Sequence, residues 1–296
     1  MFKSRIAPTP SGYLHIGNAC NFLLTWLWTR AENGQLLLRI DDLDRSRKRP
    51  EYVEDVFETL EWLGIDYDEG PTGPSDFENN WSQHLRLEAY AEALDVLKEQ
   101  RLLFACDCTR SQILTHAENG QYAGRCRKRE LAFEEGIVAW RIKTGLESEA
   151  HWQDVWLGKQ SLNVSQKMCD FVIRRKDQLP AYQLASVVDD TIFGVNAVVR
   201  GDDLLHSTAA QIWLSQYLPN ADLTAIRWVH HPLLQDTKGL KLSKSKGSLS
   251  IQSMRGQGAS PATVYQACAD LMGWSGSFFS LQGLLDAYIQ RPKFTY

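Results

Sequence analysis

The sequence predicts an α/β protein built on a parallel sheet, and three observations carry that prediction. The chain opens on a short strand signal, passes through a turn rich in proline and glycine, and enters an apolar-rich helical stretch (Phe22, Leu23, Trp26, Leu27). LLLRI (36–40) then reads as a buried strand. Two segments with helical spacing follow: Val53, Val56, Phe57, Leu60 and Leu63, then Leu87, Tyr90, Ala91, Leu94 and Leu97. Strand, helix and strand in that order form a βαβ unit, whose crossover connection makes the two strands parallel.

Further along, each element has its own signal. The first helix is expected over 17–32, closed by Gly34 in a C-cap position. From 103 to 128 the pattern breaks into short polar pieces that carry cysteines, which reads as a small insertion. Strand-like runs return at VAWRI (138–142), DFVIRR (170–175) and NAVVRG (196–201). A helix over 204–217 and a strand at IRWVHH (226–231) resume the α/β alternation. The last segment opens with Ser260 as N-cap and Pro261 in the first helical position, then runs helically to Gly273. No internal repeat or low-complexity tract interrupts this order.

At 296 residues, 44% hydrophobic and 23% charged, the chain has the composition of a globular protein with a substantial core. A net charge of −4 excludes a global basic signal for nucleic acid but leaves local patches open. Two exist, Arg45, Arg47, Lys48 and Arg49, and Arg125, Arg127, Lys128 and Arg129, each equally readable as a solvated basic face. MFKSRIAPTP lacks the apolar core of a signal peptide, and no run approaches the ~18 apolar residues of a membrane span. The expectation is a cytoplasmic protein without a membrane partner, its six cysteines reduced.

The turn APTPSGYLHIGN (7–18) puts restricted and permissive residues side by side, with His15 among them. A strand, a glycine-containing turn and a helix start place backbone N–H groups where an anion docks. Taken alone, a histidine there is more often structural. A second stretch, LKLSKSKG (240–247), alternates Lys241, Lys244 and Lys246 with small hydroxyl residues. Such lysines neutralise a polyphosphate during reaction, although a solvated loop explains the stretch equally well in isolation. The turn lacks GxGxxG, which argues against a dinucleotide-binding dehydrogenase.

Taken together, PTPSGYLHIGN and KLSKS resemble the HIGH and KMSKS signatures of class I aminoacyl-tRNA synthetases. RIAPTPSGYLHIG, RIDDLDRSR (39–47) and VVRGDDLLHST (198–208) are similar to the glutamyl-tRNA synthetase branch, over roughly residues 3 to 250. Cys106, Cys108, Tyr122 and Cys126, in CDC and YAGRC, resemble the zinc site of the glutamyl-queuosine tRNA(Asp) synthetase group. Three thiolates and a phenol oxygen suit one structural Zn²⁺ in a tetrahedral site. The fold implied is a Rossmann-like doubly wound parallel sheet with a small zinc-binding insertion and a short helical C-terminal region. Its expected parts are residues 1–100 and 191–250 as the two halves of the catalytic domain, and 101–190 as the zinc-bearing insertion with an acceptor-side subdomain. Residues 251–296 are expected to be a short helical end without an anticodon-binding domain, the extent of the queuosine-modifying paralogue. Cys20, Cys169 and Cys268 are expected in the core.

The resemblance also implies an activity: ATP-dependent activation of L-glutamate, then transfer to queuosine in the anticodon of tRNA(Asp). His15 and Lys244 are the catalytic residues it implies. ATP would meet Pro8, Ser11, Gly12, His15, Gly17, Asn18, Lys241, Ser243, Lys244 and Ser245, and would arrive with Mg²⁺ for which no protein ligand is identifiable. Glutamate would meet Arg5, Ile6, Ala7, Pro8, Thr9, Asp41, Tyr182 and Arg200. Arg5 is matched to the side-chain carboxylate and Asp41 to the α-amino group. RIDD stands where the family usually has RIED, and HIGN stands for HIGH. Read without the family, Tyr182 is a core aromatic and Arg200 with Asp202 a strand-end salt bridge. A monomer is expected. Two alternatives stay open: a shortened glutamyl-tRNA synthetase charging tRNA(Glu), and a catalytically idle tRNA-binding module.

Overall fold

The computed structural model describes residues 1–115, 122–234 and 250–291. In chain order its strands are β1 (Lys3–Ile6), β2 (Gln35–Leu38), β3 (Leu103–Cys106), β4 (Ala139–Ile142), β5 (Glu149–Asp154), β6 (Gly158–Asn163), β7 (Val172–Arg174), β8 (Ala197–Gly201) and β9 (Arg227–His231). Six of them form one sheet in the order β2-β1-β8-β9-β5-β6. The pairs β1–β2, β1–β8, β8–β9 and β5–β9 are parallel, and only the β5–β6 hairpin at the edge is antiparallel. The other three strands form a separate antiparallel sheet, β3-β4-β7.

Side chains alternate across a strand, and this alternation divides the core into two layers. Val199 and Val229 face one cluster, which also holds the Ile16–Ala31 helix and Val264, Cys268 and Leu284 near the chain end. Val198 and Trp228 face the other, with Leu94, Leu184, Val187 and Trp213. A parallel sheet covered on both faces reads as unbroken apolar runs, which is why LLLRI and NAVVRG were legible as strands. The Ile16–Ala31 helix is itself buried from Ala19 to Thr29 apart from Asn21, in keeping with its apolar composition.

Local details depart from the expectations in four places. The left-handed residue after the first helix is Asn33 (φ 50°), while Gly34 is needed because a Cβ there would lie 2.3 Å from Phe2 Cδ1. The final expected helix spans Ala262–Leu271 with Pro261 at its cap, and Ser260 Oγ accepts from the Ala262 N–H at 3.2 Å. The β5–β6 hairpin has no counterpart among the expected strands. Its inward residues are Ala150, Trp152 and Asp154, so the strand presents a carboxylate where the pattern asks for an apolar residue. Asp154 is buried because His230 Nδ1 and the Trp156 and Leu157 N–H groups surround it, at 2.5, 3.0 and 2.9 Å. Cys20 and Cys268 are fully buried, whereas Cys169 is half-buried with φ 51°.

Candidate active site

Strand order reverses at β1, where the chain turns toward β2 on one side and later returns as β8 and β9 on the other. Sheets of this kind bind ligands outside the carboxyl ends of the strands at such a reversal. A cavity of about 500 Å³ opens there. It brings together Arg5, Ala7, Pro8, Thr9, Ser11, His15, Gly17, Asn18, Asp41, Tyr182 and Arg200 from the expected set. Ile6 is instead fully buried in the core, and Gly12 is not part of the cavity wall. Lys241, Ser243, Lys244 and Ser245 lie outside the described residues. The residues flanking that segment are at this site: Leu233 and Leu234 line the cavity, and Ser250 pairs with His15.

His15 is the N-cap of the Ile16–Ala31 helix. Its Nδ1 accepts from the Gly17 and Asn18 N–H groups at 3.1 and 3.3 Å, and Asn18 Oδ1 accepts in return from the His15 N–H at 3.1 Å. This reciprocal cap gives HIGN its logic, since asparagine closes the box that a histidine cap opens. An Nδ1 that accepts puts the ring proton of neutral His15 on Nε2. Two of the amides that the sequence alone offers to a phosphate are therefore taken by the imidazole. Gly17 has a steric reason as well, because a Cβ would sit 3.0 Å from the His15 ring. The turn is fixed from behind by Asp55, which accepts from the Leu14 N–H at 2.8 Å and from Arg255 at 3.0 Å.

Across the cavity the dominant feature is a buried cluster of guanidinium and carboxylate groups. Arg39 donates to both Asp41 oxygens, from Nε at 2.7 Å and Nη2 at 3.1 Å, and from Nη1 to Asp190 Oδ1 at 2.7 Å. Arg5 Nε reaches the same Asp190 oxygen at 3.2 Å. Asp189 is held by Arg86 at 3.0 and 3.2 Å, Tyr90 at 2.8 Å and Gln83 at 2.8 Å, with Arg39 Nε 3.8 Å from its Oδ2. Burial pushes the Asp41 carboxyl above its ordinary range, against the pull of Arg39. Burial would raise Asp190 too, yet Arg5 and Arg39 hold it below that range.

Arg200 differs from its neighbours. It is 4% exposed, donates from Nη2 to Gln211 at 2.9 Å and lies over the Trp228 ring at 4.5 Å. Its Nε and Nη1 have no hydrogen-bond partner among the described residues, and no carboxylate pairs with it there. Burial lowers its pKa to about 10, so the guanidinium stays charged. The strand-end salt bridge is thus absent among the described residues. Tyr182, 44% exposed at the first position of the Tyr182–Ile192 helix, lines the cavity and is not a core aromatic. An unpaired buried cation is expensive, and a cavity walled by Arg5 and Arg200 suits an anionic ligand.

Sequence reasoning missed Arg39, Asn21 and His231, all of which line the cavity. In the sequence Arg39 reads only as part of a strand and a motif, and its partner Asp190 is 151 residues away. Asn21 Oδ1 lies 3.1 Å from His231 Nε2, a contact across 210 residues.

Remote from the cavity, Cys106, Cys108 and Cys126 are buried with their sulfur atoms all within 4.8 Å of one another. Cys108 Sγ and Cys126 Sγ lie 3.4 Å apart. Tyr122 joins them in a small cluster with Phe104, and its hydroxyl accepts from the Cys126 N–H at 2.7 Å. Arg129 Nη1 donates to Cys126 Sγ at 3.4 Å and to Asp107 at 2.7 Å. Three convergent thiols with a phenol beside them fit a thiophilic cation.

The whole chain can be compared with known proteins. A 37% identical relative, covering 94% of this chain and 88% of its own length, is the glutamyl-Q tRNA(Asp) synthetase of Nitratidesulfovibrio vulgaris. Glutamate–tRNA ligase 2 of Halorhodospira halophila is also 37% identical, but the chain spans only 57% of that relative. The crystal structure of glutamate-tRNA synthetase from Elizabethkingia anophelis superposes with a TM-score of 0.78 at 25% identity, covering 96% of this chain and 65% of that one. Residues 1–290 match the model of tRNA synthetases class I (E and Q), catalytic domain, and the chain with its ligand cavity at the reversal of the sheet belongs to that family.

Proposed function

We propose that the protein activates L-glutamate with ATP and transfers it to queuosine at the anticodon wobble position of tRNA(Asp). The observation that carries the reading is Arg200, a buried cation without a carboxylate partner among the described residues, in the cavity that Arg5 also lines. The two guanidinium groups suit an amino acid with an anionic side chain, and Asp41 supplies the opposite charge for its α-ammonium group. Relatives named glutamyl-Q tRNA(Asp) synthetase match along 88% and 95% of their own length, which favours that acceptor.

In the first step a carboxylate oxygen of glutamate attacks the α-phosphorus of ATP, forming the acyl–phosphate bond as the bond to pyrophosphate breaks. Catalysis here is positioning and charge stabilisation. His15 presents Nε2–H to a phosphate oxygen, with its ring held by the helix start behind it. Ser11, Thr9 and Pro8 line the approach, and Lys244 is assigned the charge developing on pyrophosphate, with Mg²⁺ travelling with the nucleotide. In the second step a hydroxyl of the queuosine ring attacks the glutamyl carbonyl and AMP leaves. Cys106, Cys108, Cys126 and Tyr122 would hold one zinc ion, which would cross-link the CDC and YAGRC segments and take no part in either step.

The deciding experiment gives the enzyme ATP, labelled glutamate and purified tRNA(Asp) with or without queuosine. Label on the queuosine-bearing tRNA alone is expected. Label on tRNA(Glu), or on tRNA(Asp) lacking queuosine, overturns the choice of acceptor. Absence of glutamate-dependent ATP–pyrophosphate exchange, with tRNA present, overturns the enzyme reading altogether.

A further inference from the structure

Four charged groups form a continuous chain, Asp41, Arg39, Asp190 and Arg5, of which all but the buried Asp190 line the cavity. Each link is a direct hydrogen bond. Arg39 grips Asp41 with Nε and Nη2 at 2.7 and 3.1 Å, and turns Nη1 to Asp190 at 2.7 Å. Asp190 Oδ1 then receives Arg5 Nε at 3.2 Å. The other Asp190 oxygen is buried and has no partner among the described residues, so the two guanidinium groups are what fix that carboxylate. The preceding residue, Asp189, is anchored by Arg86, Tyr90 and Gln83 and lies 3.8 Å from Arg39 Nε, which pins the helix carrying Asp190 against the same guanidinium.

A guanidinium is flat and presents its N–H groups at fixed angles, so Arg39 sets where Asp41 lies relative to Asp190. Through Asp190 it also sets where Arg5 lies. Asp41 and Arg5 sit at the two ends of this chain, and both face the cavity. We propose that Arg39 is a positioning residue that fixes the distance between the carboxylate receiving the substrate's ammonium group and the guanidinium receiving its side-chain carboxylate. It thereby selects an amino acid of glutamate's length over aspartate. The proposal rests on the functional reading above, in which Arg5 and Asp41 contact the two ends of glutamate. A lysine at position 39 would keep the charge but reach one partner instead of two, which loosens the spacing without emptying the cluster of its cation.

The test is ATP–pyrophosphate exchange with glutamate and with aspartate, tRNA present, on the wild-type protein and on Arg39→Lys. In the variant the KM for glutamate is expected to rise at least about tenfold while the KM for ATP stays within about twofold. The glutamate-to-aspartate ratio of kcat/KM should fall by at least about tenfold. If both KM values move together, or the ratio between the two amino acids is unchanged, Arg39 is merely structural and the proposal is wrong. Should Arg39→Lys fail to give a cooperative melt, Asp190→Asn is measured in its place. It keeps the shape of the shared carboxylate and the Arg39–Asp41 grip but removes the charge that ties Arg5 to them. The same split between the KM values is expected, and its absence refutes the proposal. Wild-type protein that exchanges nothing with glutamate would instead bring down the functional reading, and this inference with it.

Discussion

The cavity at the sheet reversal and the cysteine cluster both gather polar or ionisable side chains, but they are organised in opposite ways. In the cavity most charged groups hold one another: Arg39 binds two carboxylates, His15 closes a helix, and Asp55 fastens the turn. Its geometry rests on bonds within the protein, and among the described residues Arg200 is the cavity-lining cation left with two N–H groups unpartnered. The cysteine cluster has a core of five buried residues, and its thiols point chiefly at one another. A core that small cannot order its segments by burial alone, so a metal would contribute directly to local stability. One site is preorganised by the protein for its ligand. The other would be organised by its ligand.

This contrast predicts that activity and stability separate differently at the two sites. The largest effect is expected at Arg200. Arg200→Met should lower kcat/KM for glutamate by at least about a hundredfold, because a charge-assisted pair is lost. The melting temperature should stay level or rise, since replacing an unpaired buried charge by an apolar side chain of similar length removes a desolvation cost. A melting temperature that collapses together with activity would show Arg200 to be part of the scaffold.

At the cysteine cluster the order reverses. Replacing Cys106 and Cys108 together by serine should take metal content from about one zinc per chain to none, measured by elemental analysis. The melting temperature should fall by several degrees. The KM for glutamate should change by less than about threefold, since the cavity has its own bonds. Wild-type protein, gently purified, that carries no metal would break the comparison on this side.

The smallest effect expected, and the one that divides two roles of a single side chain, is at His15. His15→Ala removes both the cap and the ring, and should cost about 1 kcal/mol of stability as well as activity. His15→Asn restores a capping oxygen and should recover the stability while activity stays low. If asparagine recovers both, His15 acts only as a cap.

How much of this was legible from residues follows from how far apart the cooperating groups lie. The parallel strands were readable because burial on both faces leaves apolar runs, as in LLLRI. The β5–β6 hairpin was not, because Asp154 interrupts its apolar alternation and finds its compensation in His230, 76 residues on. The cavity residues were readable where they cluster in one motif, as from Arg5 to Asn18. Arg39 escaped because a buried arginine is understood only through its partners, and Asp190 is on another element. In the same way, Gly17 could be read as a place of close approach, but not that the approaching group is the ring of His15.

The bond between the Leu14 carbonyl and the Ile251 N–H, at 2.8 Å, and the grip of Arg255 on Asp55, 200 residues away, bear on the order of assembly. The HIGN turn is synthesised well before Ile251 and Arg255. Yet it cannot be finished until residues near 250 arrive to close it, and contacts of such long sequence separation form late. A growing chain would therefore hold a folded sheet edge well before it held a completed HIGN turn. The stretch of sequence that announces the site is the part of the site that maturation completes last.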